Sequence, residues 1–509
     1  MHRDTRDPFA GVIETHSGVV FFLGDRAYKL KKPVAFGFLD FTQPEVRRVV
    51  CEREVELNSR LAPDVYLGVA NVLGPDGSPC EHLVVMKRLP DERRLSVLVG
   101  SNAPVEALLR QIAGVLATFH NKARRSPEID ACATAPAMLE RWRANKREME
   151  PLSGQIFDSE IMERVDSLAR RYLAGREALF ASRAATGRVC DGHGDLLCDD
   201  IFCLDDGPRV LDCVEFDDRL RYIDVLGDIA SLAMDLQRLG RPDLGRLFLQ
   251  QYGDASGDGW PDSLAHHYVA YRAQVRSMVA GLRYGQGDTE SAAEARGLLS
   301  ISAQHLEEGR VRLVVIGGLP GTGKSTLALE VANAIRGTRI RSDEIRKRLA
   351  GMTPTTPAPA SIGEGIYSPA MTRSTYDALI EGARSHLRFG RSVVLDATFA
   401  EPSWRTAAQT LADETSADLH EFRCVAPMQL IEERLSGRAS VRTASDATAD
   451  VAHHMARSQR AWPTAAEVDT TRGIAETSAA VLDLMGVGIR RGPLPVGSGR
   501  RALPPETSE

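Results

Sequence analysis

The spacing of apolar residues divides the chain into two unequal parts. The first part, up to about residue 308, starts with short apolar runs such as GVVFFL and AYKL, which predict strands. A helix is predicted from Glu45 to Leu61, and residues 67–90 predict a hairpin with a PDG turn and a buried strand. Over residues 105–180 and 224–308, apolar residues recur at i, i+3 and i+4, which predicts long helices.

The second part begins with a continuously apolar run, RLVVIGG, which predicts a fully buried strand. A Gly-rich turn and an amphipathic helix follow, and strands then alternate with helices to about residue 485. We therefore expect an α+β domain over residues 1–308 and an α/β domain with a parallel sheet over residues 309–488. Residues 489–509 are rich in Pro, Gly and Ser and predict a disordered tail.

Composition places the chain among ordinary globular proteins and narrows its partners. Of its 509 residues, 43% are hydrophobic and 26% charged, which excludes a largely disordered or collagen-like chain. The net charge of −6 gives no global basic field for nucleic acid, although a local basic groove stays open. The apolar runs are shorter than the about 18 residues that span a bilayer, and the eight cysteines form no CxxC pair. These features predict a soluble cytoplasmic protein, with no indication of its oligomeric state.

Lysine is scarce in this sequence. Only eight lysines stand among the 63 lysines and arginines, and a compositional bias toward arginine accounts for that ratio. Where a lysine remains, its compact ammonium can do what the planar guanidinium of arginine cannot. Two lysines, Lys29 and Lys324, fall in the motifs described next.

The sharpest motif is a phosphate-binding loop between the buried strand and its helix. Residues 318–325, GLPGTGKS, match GxxxxGK[ST] at every fixed position. Glycines let backbone N–H groups surround phosphates, Lys324 reaches the β- and γ-phosphates, and the Ser325 hydroxyl suits Mg²⁺. The predicted ATP-binding residues of this loop are Gly318, Leu319, Pro320, Gly321, Thr322, Gly323, Lys324, Ser325 and Thr326.

The residues after this loop resemble the small P-loop kinases, in particular the polynucleotide kinase, zeta-toxin and gluconate-kinase group. The similarity rests on RSDEIR at 341–346 and on SVVLDAT, a strand that ends at Asp396. It implies that Asp343 orients or deprotonates an acceptor hydroxyl and that Arg346 contacts the acceptor. It also implies a catalytic role for Lys324 and a Mg²⁺ ligand at Asp396.

Several of these positions keep an alternative interpretation. Asp343 could serve as a helix N-cap, and Asp396 could be a turn residue at the end of a strand. Three arginines with four-residue spacing are lid candidates for the transferred phosphoryl group, or else form a solvated helix face. They are Arg434, Arg438 and Arg442.

A second set of kinase-type residues lies upstream. HGDL at 193–196 is followed by Asp200, then by Asp212 in a short apolar run and by Asp228 in GDIASLAMDL. This order resembles the aminoglycoside-phosphotransferase branch of the protein-kinase-like fold, a bilobal α+β domain. The preceding residues agree, since Lys29 lies on a predicted strand and Glu54 on the next helix.

The resemblance implies a role for each matched residue in this second site. Asp195 would orient the acceptor hydroxyl and take its proton, while Asp200 and Asp212 would bind Mg²⁺. Lys29, held by Glu54, would contact the α- and β-phosphates of ATP. Supporting roles follow for a further three residues: His193 and Asp228, which would hold the catalytic loop, and Glu215, which could add to the metal site.

The upstream motif also departs from its family. Asp200 stands where asparagine is expected, and no GxGxxG loop precedes the first strands. Lys31 and Lys32 compete with Lys29, and Glu54 has glutamates two residues away on either side that could take its place. A folded but inactive kinase-like domain is therefore kept as an alternative interpretation of residues 1–308.

The whole chain resembles bacterial proteins described as bifunctional phosphotransferase/ATP-binding proteins. We expect an ATP- and Mg²⁺-dependent phosphotransferase that acts on small hydroxylated molecules at two sites. One alternative is a polynucleotide or nucleotide-sugar kinase in the second domain, with the first as a binding module. Another is a non-catalytic ATP-binding regulator. Residues 353–369, including Tyr367, are expected to form a mobile loop at the acceptor or lid.

Overall fold

A computed structural model of the chain describes residues 10–14, 18–36, 39–353, 356, 363–438 and 447–487. The predicted tail at 489–509 lies outside the described residues, as do Arg442 and the side chain of Arg438. Most of the loop preceding residue 363 also lies outside them, although Tyr367 is described.

The chain begins with an antiparallel five-stranded sheet of order β1-β2-β3-β7-β6. Helix α1 packs against β6 and β7, and it begins with Pro44, whose fixed backbone angle suits a first helical turn. The predicted strands, helix and hairpin in this region are confirmed. The bounds are β1 (Ala10–Glu14), β2 (Gly18–Leu23), β3 (Arg26–Lys31), β4 (Ala35–Phe36), β5 (Leu39–Asp40), α1 (Pro44–Asn58), β6 (Tyr66–Leu73) and β7 (Pro79–Lys87).

A mainly helical lobe follows, as the periodicity predicted. Two short antiparallel strand pairs, β9 with β10 and β8 with β11, lie between its helices and carry the HGDL loop. The helices before these strands are α2 (Leu95–Gly100), α3 (Glu106–Lys122), α4 (Pro127–Ala131), α5 (Ala135–Met149), α6 (Ser159–Ala174) and α7 (Glu177–Ala185). The strands are β8 (Val189–Asp191), β9 (Ile201–Leu204), β10 (Gly207–Val210) and β11 (Tyr222–Asp224). The later helices are α8 (Val225–Arg238), α9 (Pro242–Ser256), α10 (Asp262–Gly285) and α11 (Ser291–Glu308).

The last part of the chain is a parallel five-stranded sheet of order β13-β14-β12-β15-β16 with helices around it. Every residue of its central strand β12 is buried, as the apolar run RLVVIGG predicted. The strands are β12 (Arg312–Gly318), β13 (Thr338–Arg341), β14 (Val393–Asp396), β15 (Asp418–Val425) and β16 (Ala466–Asp469). The helices are α12 (Lys324–Ala334), α13 (Ser342–Leu349), α14 (Pro369–Arg388), α15 (Pro402–Glu414), α16 (Met428–Arg438), α17 (Ala449–Arg457) and α18 (Ile474–Leu484).

The helical lobe and the parallel sheet share one apolar core. The largest cluster of buried side chains runs from Leu179 and Phe180 of α7 to Leu379 and Leu387 of α14. Polar contacts cross the same boundary, and the Arg176 guanidinium donates to the Thr415 carbonyl at 2.6 Å. The two predicted domains are therefore packed against each other, and 1–308 and 309–488 remain our proposed limits.

No helix in the described ranges is both long enough and apolar enough to cross a membrane.

Candidate active sites

The first candidate site forms where β3 of the sheet faces α1. Lys29 projects from β3, and its ammonium lies 2.9 Å from Oε1 of Glu54, whose side chain is fully buried. The flanking glutamates Glu52 and Glu56 point outward and pair with arginines of the same helix. The structure thus selects Glu54 among the three candidates, because only its position on α1 faces the sheet.

Lys31 joins the same cluster, which the choice of Lys29 alone did not anticipate. Its ammonium lies 2.5 Å from Oε2 of Glu54 and also contacts Glu215, and its side chain is 3% exposed. Lys29 and Lys31 point the same way because they are two residues apart on a strand. Lys32 points to the other face and pairs with Glu14.

Asp212 completes the charge pair at Lys29. It follows β10 with a positive φ of 64°, a left-handed conformation that costs a non-glycine residue roughly 1 kcal/mol or more. The amide of Asp212 donates to the Tyr66 hydroxyl at 3.2 Å, and its carboxylate contacts the Lys29 ammonium. Burial alone would raise the pKa of Asp212, but the charge of Lys29 outweighs it and lowers the pKa to about 2. The carboxylate is therefore ionised and faces the ammonium.

Asp228, in the first turn of α8, anchors the HGDL loop through hydrogen bonds to its backbone. Its carboxylate accepts from the backbone amides of His193 at 2.7 Å and Gly194 at 2.8 Å, and from His120 Nε2 at 3.0 Å. Although burial opposes ionisation, these partners lower the pKa of Asp228 well below its usual value. His193 itself lies fully buried, and its Nε2 bonds the Leu211 carbonyl at 2.9 Å, just before Asp212. Both residues thus have the supporting positions that the sequence predicted.

Asp195 lies at the exposed side of this loop. Its Oδ2 is 3.1 Å from Nη1 of Arg276 on α10, and its Oδ1 accepts from the Ser231 hydroxyl at 3.4 Å. Burial raises the pKa of Asp200 well above its usual value, and the charges of Asp212 and Asp195 raise it further. The carboxylates of Asp195 and Asp212 thus disfavour the charged form of Asp200, a repulsion that a bound cation would relieve.

The second candidate site is the loop between β12 and α12. Gly318, Gly321 and Gly323 have positive φ angles of 135°, 84° and 86°. A Cβ at Gly318 would lie 2.6 Å from the Cys424 carbonyl oxygen, and one at Gly321 2.9 Å from Ile431. The loop therefore has a conformation that only glycines allow at these points, with Lys324 at the start of the helix. Such a cradle fits the phosphates of a nucleotide.

Asp396 lies beside this loop at the end of β14, and neighbouring strands place its partners. Its Oδ1 accepts from the Ser325 hydroxyl at 3.1 Å, and its Oδ2 accepts from Nε of Arg341 at 3.2 Å. The carboxyl ends of β12, β13 and β14 meet at one edge of the parallel sheet, which explains why the three residues converge. A serine hydroxyl and a carboxylate at this distance are the oxygen ligands that Mg²⁺ prefers.

Asp343 lies in the first turn of α13, facing the same loop. Burial raises the pKa of Asp343, the charge of Lys324 lowers it, and Asp396 raises it again, so that the net direction is upward. The helix N-cap is Arg341 and no side-chain cap bond forms there, which argues against the capping interpretation of Asp343. Lys324 and Asp343, the predicted catalytic residues, lie at the starts of α12 and α13, which follow β12 and β13 at the same edge of the parallel sheet.

Arg434 and Arg346 have definite positions around this site. Arg434 on α16 donates to the Thr470 carbonyl at 2.7 Å and to the Gly321 carbonyl at 3.5 Å, so it braces the loop. Arg346 donates to Thr372 at 3.1 Å, and its guanidinium lies 5.1 Å from the ring centre of Tyr367. Of the three predicted lid arginines, Arg434 is therefore the one whose contacts are described.

Within the described residues, no group of three or more His, Cys, Asp and Glu side chains is arranged to hold a metal ion by itself. The candidate ligands are a carboxylate pair in the first site and a hydroxyl–carboxylate pair in the second. Protein ligands of this number fit Mg²⁺, which keeps waters and takes phosphate oxygens besides one or two carboxylates. The predicted ligands are Asp200, Asp212, Ser325 and Asp396.

Comparison with known proteins assigns both parts of the chain. Residues 25–265 match the model of the phosphotransferase enzyme family, and residues 313–461 match that of an AAA domain. The chain is 44% identical over 469 residues to the uncharacterized protein Rv2004c of Mycobacterium tuberculosis, covering 92% of this chain and 94% of that one. The chain belongs to the family of that protein. It joins a phosphotransferase domain of kinase-like fold to a P-loop domain, and it is an ATP-dependent phosphotransferase of the kinase type.

Solved structures resemble each part separately. The GDP and kanamycin complex of APH(2")-IIia is 16% identical, with a TM-score of 0.40, and covers 59% of this chain and 95% of that one. A gluconokinase from Sinorhizobium meliloti 1021 is 18% identical, with a TM-score of 0.25, and covers 34% of this chain and 91% of that one. Similarities of this size say nothing about the acceptor of this phosphotransferase.

Several residues that contact the two candidate sites were not assigned a role from the sequence. They are Asn58, Tyr66, His120, Arg276, Arg341 and Thr470. Most are distant in sequence from the motif that they contact, so no spacing rule could have found them. The sequence did contain one indication of Arg276. Arg272 and Arg276 are four residues apart on α10, so both side chains lie on the same face of that helix.

Proposed function

We propose that this chain is a bifunctional phosphotransferase that transfers the γ-phosphoryl group of ATP to hydroxyl groups of small molecules at two separate sites. One observation carries the proposal. Each part of the chain contains a lysine that can bind the phosphates of ATP, an aspartate that can orient the acceptor hydroxyl, and oxygen ligands that can bind a cation. Phosphoryl transfer needs positioning and charge stabilisation more than covalent catalysis, and each set supplies both.

In the first site, Lys29 holds the α- and β-phosphates while Glu54 fixes its ammonium. Asp195 orients the acceptor hydroxyl and takes its proton. The acceptor oxygen forms a bond to the γ-phosphorus as the bond from that phosphorus to the bridging oxygen of ADP breaks, and ADP leaves. His193 and Asp228 keep the loop that carries Asp195 in place.

Asp200 and Asp212 would hold Mg²⁺ in the first site. When bound, the cation supplies the positive charge that neutralises the ATP phosphates. Aspartate in place of the expected asparagine at 200 adds one negative charge. The pKa of Asp200 agrees with this added charge: burial raises it, and the negative charges of Asp212 and Asp195 raise it further.

In the second site, the backbone amides of the glycine loop and Lys324 hold the β- and γ-phosphates. Asp343 orients the acceptor hydroxyl and takes its proton, and Arg346 and Tyr367 stand where an acceptor approaches α13. Ser325 and Asp396 would hold the cation. Arg438, whose side chain is not described, and Arg434 are proposed to stabilise the charge on the transferred group.

The test inactivates each site in turn in the full-length chain. Lys324→Ala and Asp195→Ala are each expected to abolish part of the ADP release supported by a pool of hydroxylated metabolites, and the double variant to abolish all of it. Products are identified by an ATP-dependent mass gain of one phosphate. Lys122→Ala and Asp254→Ala, both at exposed positions, are the matched controls.

Each other outcome identifies a different function. If Lys324→Ala alone abolishes all transfer, the first domain is not a catalyst and serves as a binding module for a C-terminal kinase. If ATP binds and no hydroxyl compound gains phosphate, the chain is an ATP-binding regulator. Transfer to the 5′ end of an oligonucleotide, lost in Lys324→Ala, would identify a polynucleotide kinase.

A further inference from the structure

An arginine lies directly beside the proposed acceptor aspartate of the first site. Nη1 of Arg276 is 3.1 Å from Oδ2 of Asp195, and both side chains are about one quarter exposed, at 23% and 27%. Exposed ion pairs contribute little stability, with a median of roughly 0–1 kcal/mol. The contact therefore adds little to the stability of the fold, and both groups can reach a bound ligand.

The neighbouring arginine of the same helix shows the contrast. Arg272, one turn earlier on α10, is 4% exposed and donates to the Gly227 carbonyl at 2.8 Å and to the Gly194 carbonyl. Gly194 lies in the catalytic loop and Gly227 lies on α8, so Arg272 ties the loop to that helix and has a structural task. Among the described residues, the hydrogen bond of Arg276 goes instead to the carboxylate of Asp195.

Arg276 also lies on the acceptor side of Asp195. The nucleotide-side charges, Lys29 and Asp212, come from the sheet and from the loop after β10. Arg276 and Ser231 come instead from α10 and α8 of the helical lobe. In an in-line transfer the acceptor approaches opposite the leaving ADP, so groups on the helical side of the aspartate face the acceptor.

We propose that Arg276 forms an anion-binding subsite, and that the acceptor of the first site is a hydroxyl compound that carries a phosphate or carboxylate near the reacting hydroxyl. This assignment rests on the proposed function for its identity as an acceptor site. A guanidinium binds both anions through paired hydrogen bonds, and binding of the anion releases Asp195 to accept from the hydroxyl. Polycationic acceptors are disfavoured because an ammonium would meet Arg276.

The test measures binding and turnover separately. Both use the full-length chain with Lys324→Ala, so that the second site is silent. Calorimetry with glycerate and with glycerol phosphate, in the presence of ADP and Mg²⁺, is compared between that protein and the same protein with Arg276→Gln. We expect the affinity for both anions to fall about 10- to 100-fold, the effect of losing one charged hydrogen-bonding partner.

Two control variants distinguish a loss of anion binding from a general effect on the folded protein. Arg296→Gln, at an exposed position on α11, removes a charge away from Asp195 and is expected to change nothing. Arg276→Lys keeps the charge without the planar fork and is expected to recover part of the affinity. Equal anion affinity with arginine and with glutamine at 276, or no anion binding by either, would overturn the subsite.

Turnover then distinguishes the subsite from the function on which it rests. Matched acceptors that are neutral, anionic or cationic are compared by ADP release, and Arg276→Gln is expected to raise KM for the anionic ones with a smaller change in kcat. A fall in kcat for all acceptors with unchanged KM overturns the subsite. Anion binding that depends on Arg276, without any phosphoryl transfer, supports the subsite and refutes the transferase function of the first site.

Discussion

At the scale of single residues, the first site is organised around a buried carboxylate. Glu54 is fully buried and holds the ammonium groups of Lys29 and Lys31, one on each oxygen. Burial would raise the pKa of Glu54, and the two lysines together lower it, so the group is ionised. A single charge thus sets the position of both lysines.

Replacing that charge tests the arrangement. In Glu54→Gln, made in the Lys324→Ala background, Lys29 loses its fixed partner and moves toward Asp212. We expect ADP release at the first site to fall about 100-fold, the size of effect that a displacement of about 1 Å produces. Glu52→Gln, on the exposed face of the same helix, is the control and should leave the rate unchanged. Equal rates in the two variants would remove Glu54 from the site.

Lys324 provides a second test at this scale, because the scarcity of lysine makes its retention informative. Lys324→Arg keeps the positive charge but puts a planar, bulkier group at the end of a loop that leaves no room for a Cβ at Gly318 or Gly321. In the Asp195→Ala background we expect ADP release to fall at least about 100-fold, as for loss of one phosphate donor. Lys122→Arg should have no effect. Near-normal turnover would contradict the claim that a compact ammonium is required.

At the scale of elements, the catalytic loop depends on one helix. The carboxylate of Asp228, in the first turn of α8, joins two loop amides, a histidine of α3 and, at 3.7 Å, the guanidinium of Arg272. A buried carboxylate with this many partners is costly to break, because removing it leaves several donors unsatisfied. We infer that Asp228 positions the loop that carries Asp195 without itself touching the substrate.

Asp228→Ala should therefore destabilise the protein by about 3–5 kcal/mol, while Asp228→Asn, which keeps one acceptor, should cost less. The pKa of Asp228 is lowered in the folded state, so its contribution is present above the pKa of an unfolded aspartate and is lost as the pH falls below it. Urea unfolding from about pH 7 to pH 3 should show a steeper acid loss in the wild type than in Asp228→Asn. Asp254→Ala is the exposed control, and parallel pH curves would be the contrary result.

At the scale of the whole molecule, the kinase-like part and the P-loop part are joined by packing as well as by the chain. Arg171 pairs with Asp418 at 2.8 Å, and the Ser263 hydroxyl donates to the Gly390 carbonyl at 2.7 Å. These contacts accompany the shared apolar core described above. We therefore expect the two parts to unfold together.

Gly175 gives a local test of this joint. It follows α6, and a Cβ there would lie 2.0 Å from the carbonyl oxygen of Thr415 in the other part. Because the obstacle is backbone and cannot rotate away, Gly175→Ala must push the two parts apart. We expect the free energy of unfolding to fall by about 1–3 kcal/mol and the Tm to fall with it. Gly297→Ala on α11, with nothing within 4 Å, should be neutral or stabilising by about 0.5–1 kcal/mol. The same Tm in both variants would contradict a tight joint.

The sequence by itself determined the local features of this protein. The β12–loop–α12 unit, the three N-terminal strands, the hairpin and the motif residues all follow from periodicity, glycine chemistry and short spacing, which act over neighbouring residues. Whatever depends on contact across long separations could not be read in this way. The sequence did not distinguish Glu54 from its neighbours Glu52 and Glu56, because only the packing of α1 against the sheet does so. Arg276 lies 81 residues from the aspartate that it contacts.

Only the tertiary structure decided which charges share a site and how the two parts meet. Packing places Asp212 against the sheet lysine Lys29 and Asp195 against Arg276 of α10, and it buries α7 against α14. The physical reason is that ion pairs and close packing are set by the three-dimensional positions of side chains. A single sequence records which groups are present but not which of them come within a few ångströms of each other.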